Sequence, residues 1–196
     1  MLHATMGHDT EIDVRVERAS LRHVDAFVEA ARASRRLHKN WVTPPATSDA
    51  FRAYVRAKRN TAHASYFLFD PASDALVGVI NINEIVRGLF QSAYLGYYAF
   101  APHHGHGYMS LGLNRVIQLA FRGHGLHRLE ANIQPGNGAS IALVKRAGFR
   151  REGCSIRYLK IAGRWRDHER WALTVEEWKA TRRPRATQSA LALAQS

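Results

Sequence analysis

The chain has 196 residues, of which 46% are apolar and 22% charged, the proportions of an ordinary globular protein of one domain. Those values exclude a collagen-like, coiled-coil or wholly disordered chain, and no apolar run reaches the roughly 18 residues of a membrane-spanning helix. The formal net charge is +12, with 12 Lys/Arg against 10 Asp/Glu in residues 1–100 but 16 against 6 in residues 101–196, so the second half either meets an anionic partner or is simply a charged, soluble surface.

Residues 1–10 are polar and are expected to be loose. The opening MLHATMGHDTEID turns acidic where a secretory leader needs an apolar stretch, so export is not expected and a cytoplasmic protein is. Ile12–Val16 alternates apolar and charged residues as a half-buried strand does. Ser20 then stands as an N-cap before Leu21, Val24, Phe27, Val28 and Ala31 at helical spacing. Arg35–Asp49, with Pro44-Pro45, reads as a loop, and a second amphipathic helix is expected over Ser48–Lys58.

Three strands follow at hairpin-like spacing, Tyr66–Asp70, Leu76–Asn83 and Ser92–Phe100, which argues for antiparallel pairing. A glycine-rich segment leads into a long helix over Tyr108–Arg122, closed by Gly123 and Gly125. Arg128–Ile133 is a strand, Asn137–Ala147 a short helix ended by Gly148, and Phe149–Ile161 and Arg164–Thr174 are two more strands. The order is α+β: a mixed, mostly antiparallel sheet flanked by helices in a single domain over residues 11–178, with a flexible tail expected over 179–196. The single cysteine, Cys154, excludes an internal disulfide framework and an all-cysteine metal site. It reads as a small buried hydrophobe. Trp165, Trp171 and Trp178 read as core or interface residues.

The stretch with chemical content is Ala99–Leu113, AFAPHHGHGYMSLGL. A strand ends at Phe100, Pro102 breaks it, and Gly105 and Gly107 flank a helix start. Glycines there let a backbone approach a ligand closely, and unpaired amides at a helix start favour phosphate oxygens. An ordinary tight turn uses the same residues. A dinucleotide fingerprint fails for want of a third glycine and a βαβ unit, and a Walker loop fails because no Gly-Lys-Ser/Thr follows. His103, His104 and His106 alternate in this turn without a clear fourth ligand, so no metal is expected.

Strand, glycine loop, long helix, strand, then an Asn-x-x-Ser helix ending Ala-Gly-Phe resembles the GNAT family of acetyl-CoA-dependent N-acetyltransferases over about residues 11–178. The blocks Ile85-Val86-Arg87-Gly88, Tyr94-Leu95-Gly96-Tyr97, His104–Met109 and Gly163–His168 are similar to its RimJ- and RimL-like branch, whose members acetylate N-terminal amines of ribosomal proteins. The resemblance implies a pyrophosphate on the backbone amides of His104, Gly105, His106, Gly107, Tyr108 and Met109. It implies a pantetheine arm beside Tyr98, Ala99 and Phe100, with Asn137 near that arm. It also implies Ser140 as the acid that protonates the leaving thiolate, because the position of the family's usual tyrosine acid holds Val144; a bound water, or a plain helix-start hydroxyl at Ser140, are the alternatives. Two further family positions differ here, His104 for Arg or Gln and Leu159 for a glutamate base.

Glu84, at a strand end beside Arg87, is the candidate general base, or else a surface carboxylate paired with Arg87. Arg87 and His168 are set toward the acceptor, with Arg166 and Asp167 shaping the same groove or forming an ion-paired hairpin. The function implied is acetyl transfer to the N-terminal α-amine of a protein, in particular a ribosomal one, by direct attack in a ternary complex. Acetyl-CoA is the donor, ribosomal RNA is a further partner on charge, no membrane partner is expected, and the chain is a monomer or homodimer. The alternatives are transfer to a small amine (an antibiotic, a polyamine or an aminoacyl compound), a choice that falls to the substrate loops Arg35–Asp49 and Leu89–Ser92, which carry no readable code, and a non-catalytic RNA- or ribosome-binding protein on the same fold.

Overall fold

In the computed structural model, which describes residues 12–58 and 60–182, every residue of the strand Ala64–Phe69 is buried, because that strand lies between two layers of helices. Leu68 joins Ile80, Ile82, Leu113, Val116 and Ile117 on one face. Phe67 and Phe69 join Phe27, Phe51, Val55, Val79 and Phe100 on the other. Period-two alternation along the strand thus feeds two separate cores.

The elements in chain order are β1 (Arg15–Arg18), α1 (Val24–Ala33), α2 (Arg35–His38), α3 (Ser48–Ala57), β2 (Ala64–Phe69), β3 (Leu76–Val86), β4 (Ser92–Ala99), α4 (Tyr108–Gln118), β5 (Arg128–Ile133), α5 (Gly138–Arg146), β6 (Arg150–Ile161), β7 (Arg164–Thr174) and α6 (Val175–Thr181). The seven strands make one sheet in the order β1-β2-β3-β4-β5-β7-β6. Every neighbouring pair is antiparallel except β4 and β5, which run parallel. This is the mixed, mostly antiparallel single domain expected from the sequence. Helices α1 and α3 cover one face, and α4, α5 and α6 cover the other.

Several elements differ from expectation. The first strand is Arg15–Arg18 rather than Ile12–Val16, its register being fixed by pairing with Tyr66–Phe69. The short helix α2 lies inside the expected loop. The long helix ends at Gln118, and Leu119–Gly123 widens into a π turn. Helix α6 was not expected, although Thr174 and Glu177 form a reciprocal capping box that the sequence carries as Thr-x-x-Glu.

Cys154 is exposed, not buried, because β6 is an edge strand with only β7 beside it. Trp171 and Trp178 are core residues, whereas Trp165 is 61% exposed, since β7 begins on a hairpin arm beyond the end of β5. The segment 1–10 expected to be loose, and residues 183–196 of the expected tail, lie outside the described residues; residues 179–181 close α6.

Two glycines set how closely α4 approaches the sheet. A Cβ on Gly112 would overlap the buried Leu68 side chain, and one on Gly78 would meet Met109 Sδ. Without those side chains the first turn of α4 can sit directly over β3 and beside the end of β4.

Candidate active site

Strands β4 and β5 pair only over Ser92–Leu95 with Arg128–Ala131. Past these residues β4 continues to Ala99 against β3, and β5 continues to Ile133 against β7. The two strands therefore separate into a wedge in the middle of the sheet. The Phe100 amide donates to the Val77 carbonyl at 2.9 Å, so alternation along β4 turns the backbone groups of Tyr97 and Ala99 toward the wedge. An unpaired strand edge of this kind is a template for an extended ligand rich in amides.

At the outer end of the wedge the Ala99 carbonyl accepts from His38 Nε2 at 2.7 Å, and the Ala101 amide donates to Ser34 Oγ at 2.9 Å. Burial holds the His38 pKa below its ordinary value, so the ring stays neutral and serves as a fixed donor. The chain then turns through Pro102–Gly107, where Gly105 and Gly107 have φ of 84° and 90°. Gly107 is the N-cap of α4, with no side-chain cap and no acidic residue in the first turn. The leading amides of Tyr108 and Met109 are thus free to meet an anion, with the helix dipole behind them. His103 lies edge-on to Tyr108, with ring centroids 6.1 Å apart. His104 and His106 are exposed.

The other wall is the start of α5. Asn137 caps it, its Oδ1 accepting from the Ser140 amide at 3.2 Å. The Tyr97 hydroxyl donates to the Ser140 carbonyl at 3.4 Å. Burial raises the Tyr97 hydroxyl pKa well above the ordinary tyrosine value, which keeps it a neutral donor. Tyr97–Ala99, the turn His104–Met109, Asn137 and Ser140 therefore converge on one wedge. Phe100 closes its base as a fully buried side chain in the α1–α3 core, and Tyr98 lies against the same core.

Other candidates from the sequence do not come to this place. Glu84 sits at a bulge of β3 with φ of 50°, four residues beyond Ile80, the partner of Tyr97. That is about 13 Å along the strand from Tyr97 at ~3.3 Å per residue. His63 Nε2 is 3.9 Å from its carboxylate. Arg87 is also at that end and donates to the His124 carbonyl, so the expected Glu84–Arg87 pair is not formed. His168 is buried on β7, where Nδ1–H donates to the Arg166 carbonyl at 2.9 Å. Its ring is 6.2 Å from that of Tyr158. Burial, and then the Tyr158 hydroxyl, push the neighbouring Tyr94 pKa up to about 12.

A cleft of about 480 Å³ opens beside the start of α5, lined by Asn40, Trp41, Gln134–Gly136, Trp165, Arg166 and Asp167. Gln134 Nε2 donates to the Asn40 carbonyl at 3.3 Å, and Asp167 Oδ1 accepts from the Arg157 amide at 2.7 Å. Trp41, Asn40 and Gln134 were not singled out from the sequence. The one local signal was an aromatic residue in a proline-containing loop. Asn132 was also missed; its Oδ1 is buried with no hydrogen-bond partner among the described residues. It sits on β5 just past the last residue paired with β4.

Known proteins resemble this chain in sequence and fold. Over 116 residues the chain is 42% identical to a ribosomal protein uS5-alanine N-acetyltransferase of Escherichia coli, a match spanning 59% of this chain and about 60% of that relative's length. The structure of Mycobacterium smegmatis RimJ in complex with CoA-disulfide superposes with a TM-score of 0.77 at 26% identity, covering 84% of this chain and 83% of that one. A spermidine N-acetyltransferase from Vibrio cholerae, solved with CoA and spermine, shares the fold at a TM-score of 0.73 and 18% identity, over 85% and 98% of the two chains. Residues 13–150 match the family described as acetyltransferase (GNAT) domain, and the chain belongs to that family.

Proposed function

We propose that this protein transfers the acetyl group of acetyl-CoA to the N-terminal α-amine of a protein, with a ribosomal protein as the acceptor, in the cytoplasm. The observation that carries the reading is the wedge between β4 and β5, which joins the uncapped start of α4 to Ser140. Its residues fit the donor: the free amides at Gly107–Met109 suit a pyrophosphate, and the backbone groups of Tyr97 with the Ala99 amide suit the amides of a pantetheine arm, the Ala99 carbonyl being held by His38. Bound there, acetyl-CoA supplies an activated thioester carbonyl. The Escherichia coli relative named for acetylating ribosomal protein uS5 supports the acceptor class.

The chain's own part is to bring an amine in line with that carbonyl and to manage two protons. An α-amine has a pKa near 8, so on the order of 10% is neutral at pH 7, against under ~0.1% for a lysine. A strong base is therefore unnecessary for an N-terminal acceptor. The amine enters through the cleft at Trp41 and Trp165, where its proton can pass to water. The orphan Asn132 Oδ1 is an acceptor suited to an N–H of either substrate. Ser140 donates a proton to the departing sulfur. Direct attack within a ternary complex requires no covalent acetyl-enzyme.

A small-amine acceptor is the second reading, since a cleft of about 480 Å³ has the size of a small-ligand pocket. Its lining argues against a polycation. Among the described lining residues the only carboxylate, Asp167, already accepts from the Arg157 amide, and Arg166 adds a positive charge. Incubation with acetyl-CoA and either peptide N-termini or polyamines, followed by mass spectrometry, separates the two. A 42-dalton gain on peptides starting with small residues is expected, that being the mass of an acetyl group replacing a hydrogen; acetylation of polyamines alone would overturn the protein-acceptor reading.

Because Glu84 lies outside the wedge, Glu84→Gln is expected to change turnover by less than about twofold, well short of the ~10²-fold loss of a general base. A loss of that size would return Glu84 to the proton path.

A further inference from the structure

The end of the sheet remote from the wedge, at the β3–β4 turn, collects arginines that have no carboxylate partner. Among the described residues, Arg18, Arg87, Arg122 and Arg182 form no ion pair. They are joined through aromatic rings. Arg18 lies 5.3 Å from the centroid of Tyr66, whose hydroxyl is 2.8 Å from His124 Nε2. Arg87 donates to the His124 carbonyl. Two residues earlier, Arg122 lies 5.4 Å from the ring of Trp178, and Arg182 lies 4.9 Å from the same ring.

The field at this end is positive. Burial, then the charges of Arg18 and Arg87, hold His124 below the ordinary histidine value, with no acid opposing them. The carboxylates near this end already face basic groups: Glu176 is 3.1 Å from His127, Glu84 is 3.9 Å from His63, and Glu130 and Glu152 pair with Arg128. Beside the arginines the turn projects Leu89 and Phe90, at 108% and 64% exposure. The turn is tied to the same end through the Gln91 carbonyl, which accepts from the amides of His127 and Arg128.

We infer that this end of the molecule binds single-stranded RNA, with the arginines on phosphates and Phe90 stacked on an unpaired base. Guanidiniums resting on rings keep their direction and leave N–H groups free for phosphate oxygens. A projecting phenyl beside them matches a base face. An acidic protein would also engage the arginines and cover the phenyl, but guanidiniums fixed over rings beside a projecting phenyl match the alternation of phosphate and base. The inference goes beyond the transferase reading and does not rest on it, because the patch and the wedge lie at opposite ends of β4.

The test is fluorescence anisotropy of the full chain with a labelled mixed-sequence RNA of about 20 nucleotides, from ~50 to ~200 mM salt. Combining Arg18→Ala, Arg122→Ala and Arg182→Ala is expected to weaken binding at least about tenfold. The same variant should make the slope of log affinity against log salt shallower by about 2, at ~0.7 per lost phosphate contact. Phe90→Ala should weaken binding about fivefold or more. Acetyl transfer to a short peptide, measured on the same samples, reports separately on the wedge and on folding. Should the triple variant unfold, Arg18→Gln and Arg182→Gln singly should each shallow the slope by about 0.7. No RNA binding by the natural chain, or unchanged binding by the arginine variants, would overturn the proposal. So would binding that ignores Phe90→Ala and is matched by polyglutamate, which would assign the patch to an acidic protein.

Discussion

Replacing Gly107 with proline is expected to abolish the thermal stabilisation that acetyl-CoA gives this protein. A ligand present at 100 times its Kd adds about 2.7 kcal/mol, several degrees in Tm for a domain of this size. Gly107 has φ of 90°, whereas proline is confined to about −65° and carries no N–H. The substitution therefore rotates the loop away from its turn and deletes one of the amides that face the ligand. Among the described residues a Cβ on this glycine would find only Ile12 Cδ1, at 3.8 Å. The unliganded protein should stay folded, which its own melting curve checks. Gly107→Ala is the matched control. It keeps the amide, costs about 1–2 kcal/mol of left-handed strain, and should retain a smaller shift with acetyl-CoA. A full shift in the proline variant would move the donor to another part of the molecule.

How much of this was legible in the sequence depends on the range of the interactions involved. Strands β2 to β4 and helices α4 and α5 could be read from local periodicity, and Gly107 and Asn137 marked the two helix starts that form the walls of the wedge. The wedge itself could not be read, because it arises where β4 and β5, separated by a whole helix, stop pairing after four residues. The acceptor cleft is still less local, drawing on residues 40–41, 134–136 and 165–167. Trp165 looked like a core residue in a strand pattern, but its strand runs beyond the last residue of β5 and has only β6 beside it there. Glu84 was placed on a central strand, which it is; what local pattern does not give is its distance along that strand from Tyr97. The order of the strands and the register of β3 on β4 decide that, and both are tertiary facts.

Ser140→Ala is expected to lower kcat about 10²-fold while leaving acetyl-CoA affinity nearly unchanged. The backbone of Ser140 is held from two sides, its amide by Asn137 Oδ1 and its carbonyl by the Tyr97 hydroxyl. Neither contact uses the serine hydroxyl, which itself neighbours the Tyr97 hydroxyl, so alanine keeps the backbone in place and removes the proton donor with that one side-chain contact. Stability should change little, within about 0.5 kcal/mol, since Asn137 remains the cap of α5. Asn137→Ala makes the contrast: loss of the cap costs about 1 kcal/mol and should lower Tm. If the hydroxyl protonates the departing thiolate, the two variants separate, one losing turnover at constant Tm and the other losing stability. Slow product release would hide the loss in kcat, so a single-turnover measurement at saturating peptide is the decisive form. Unchanged single-turnover rates in Ser140→Ala would remove the serine from the chemistry and leave a bound water as the proton donor.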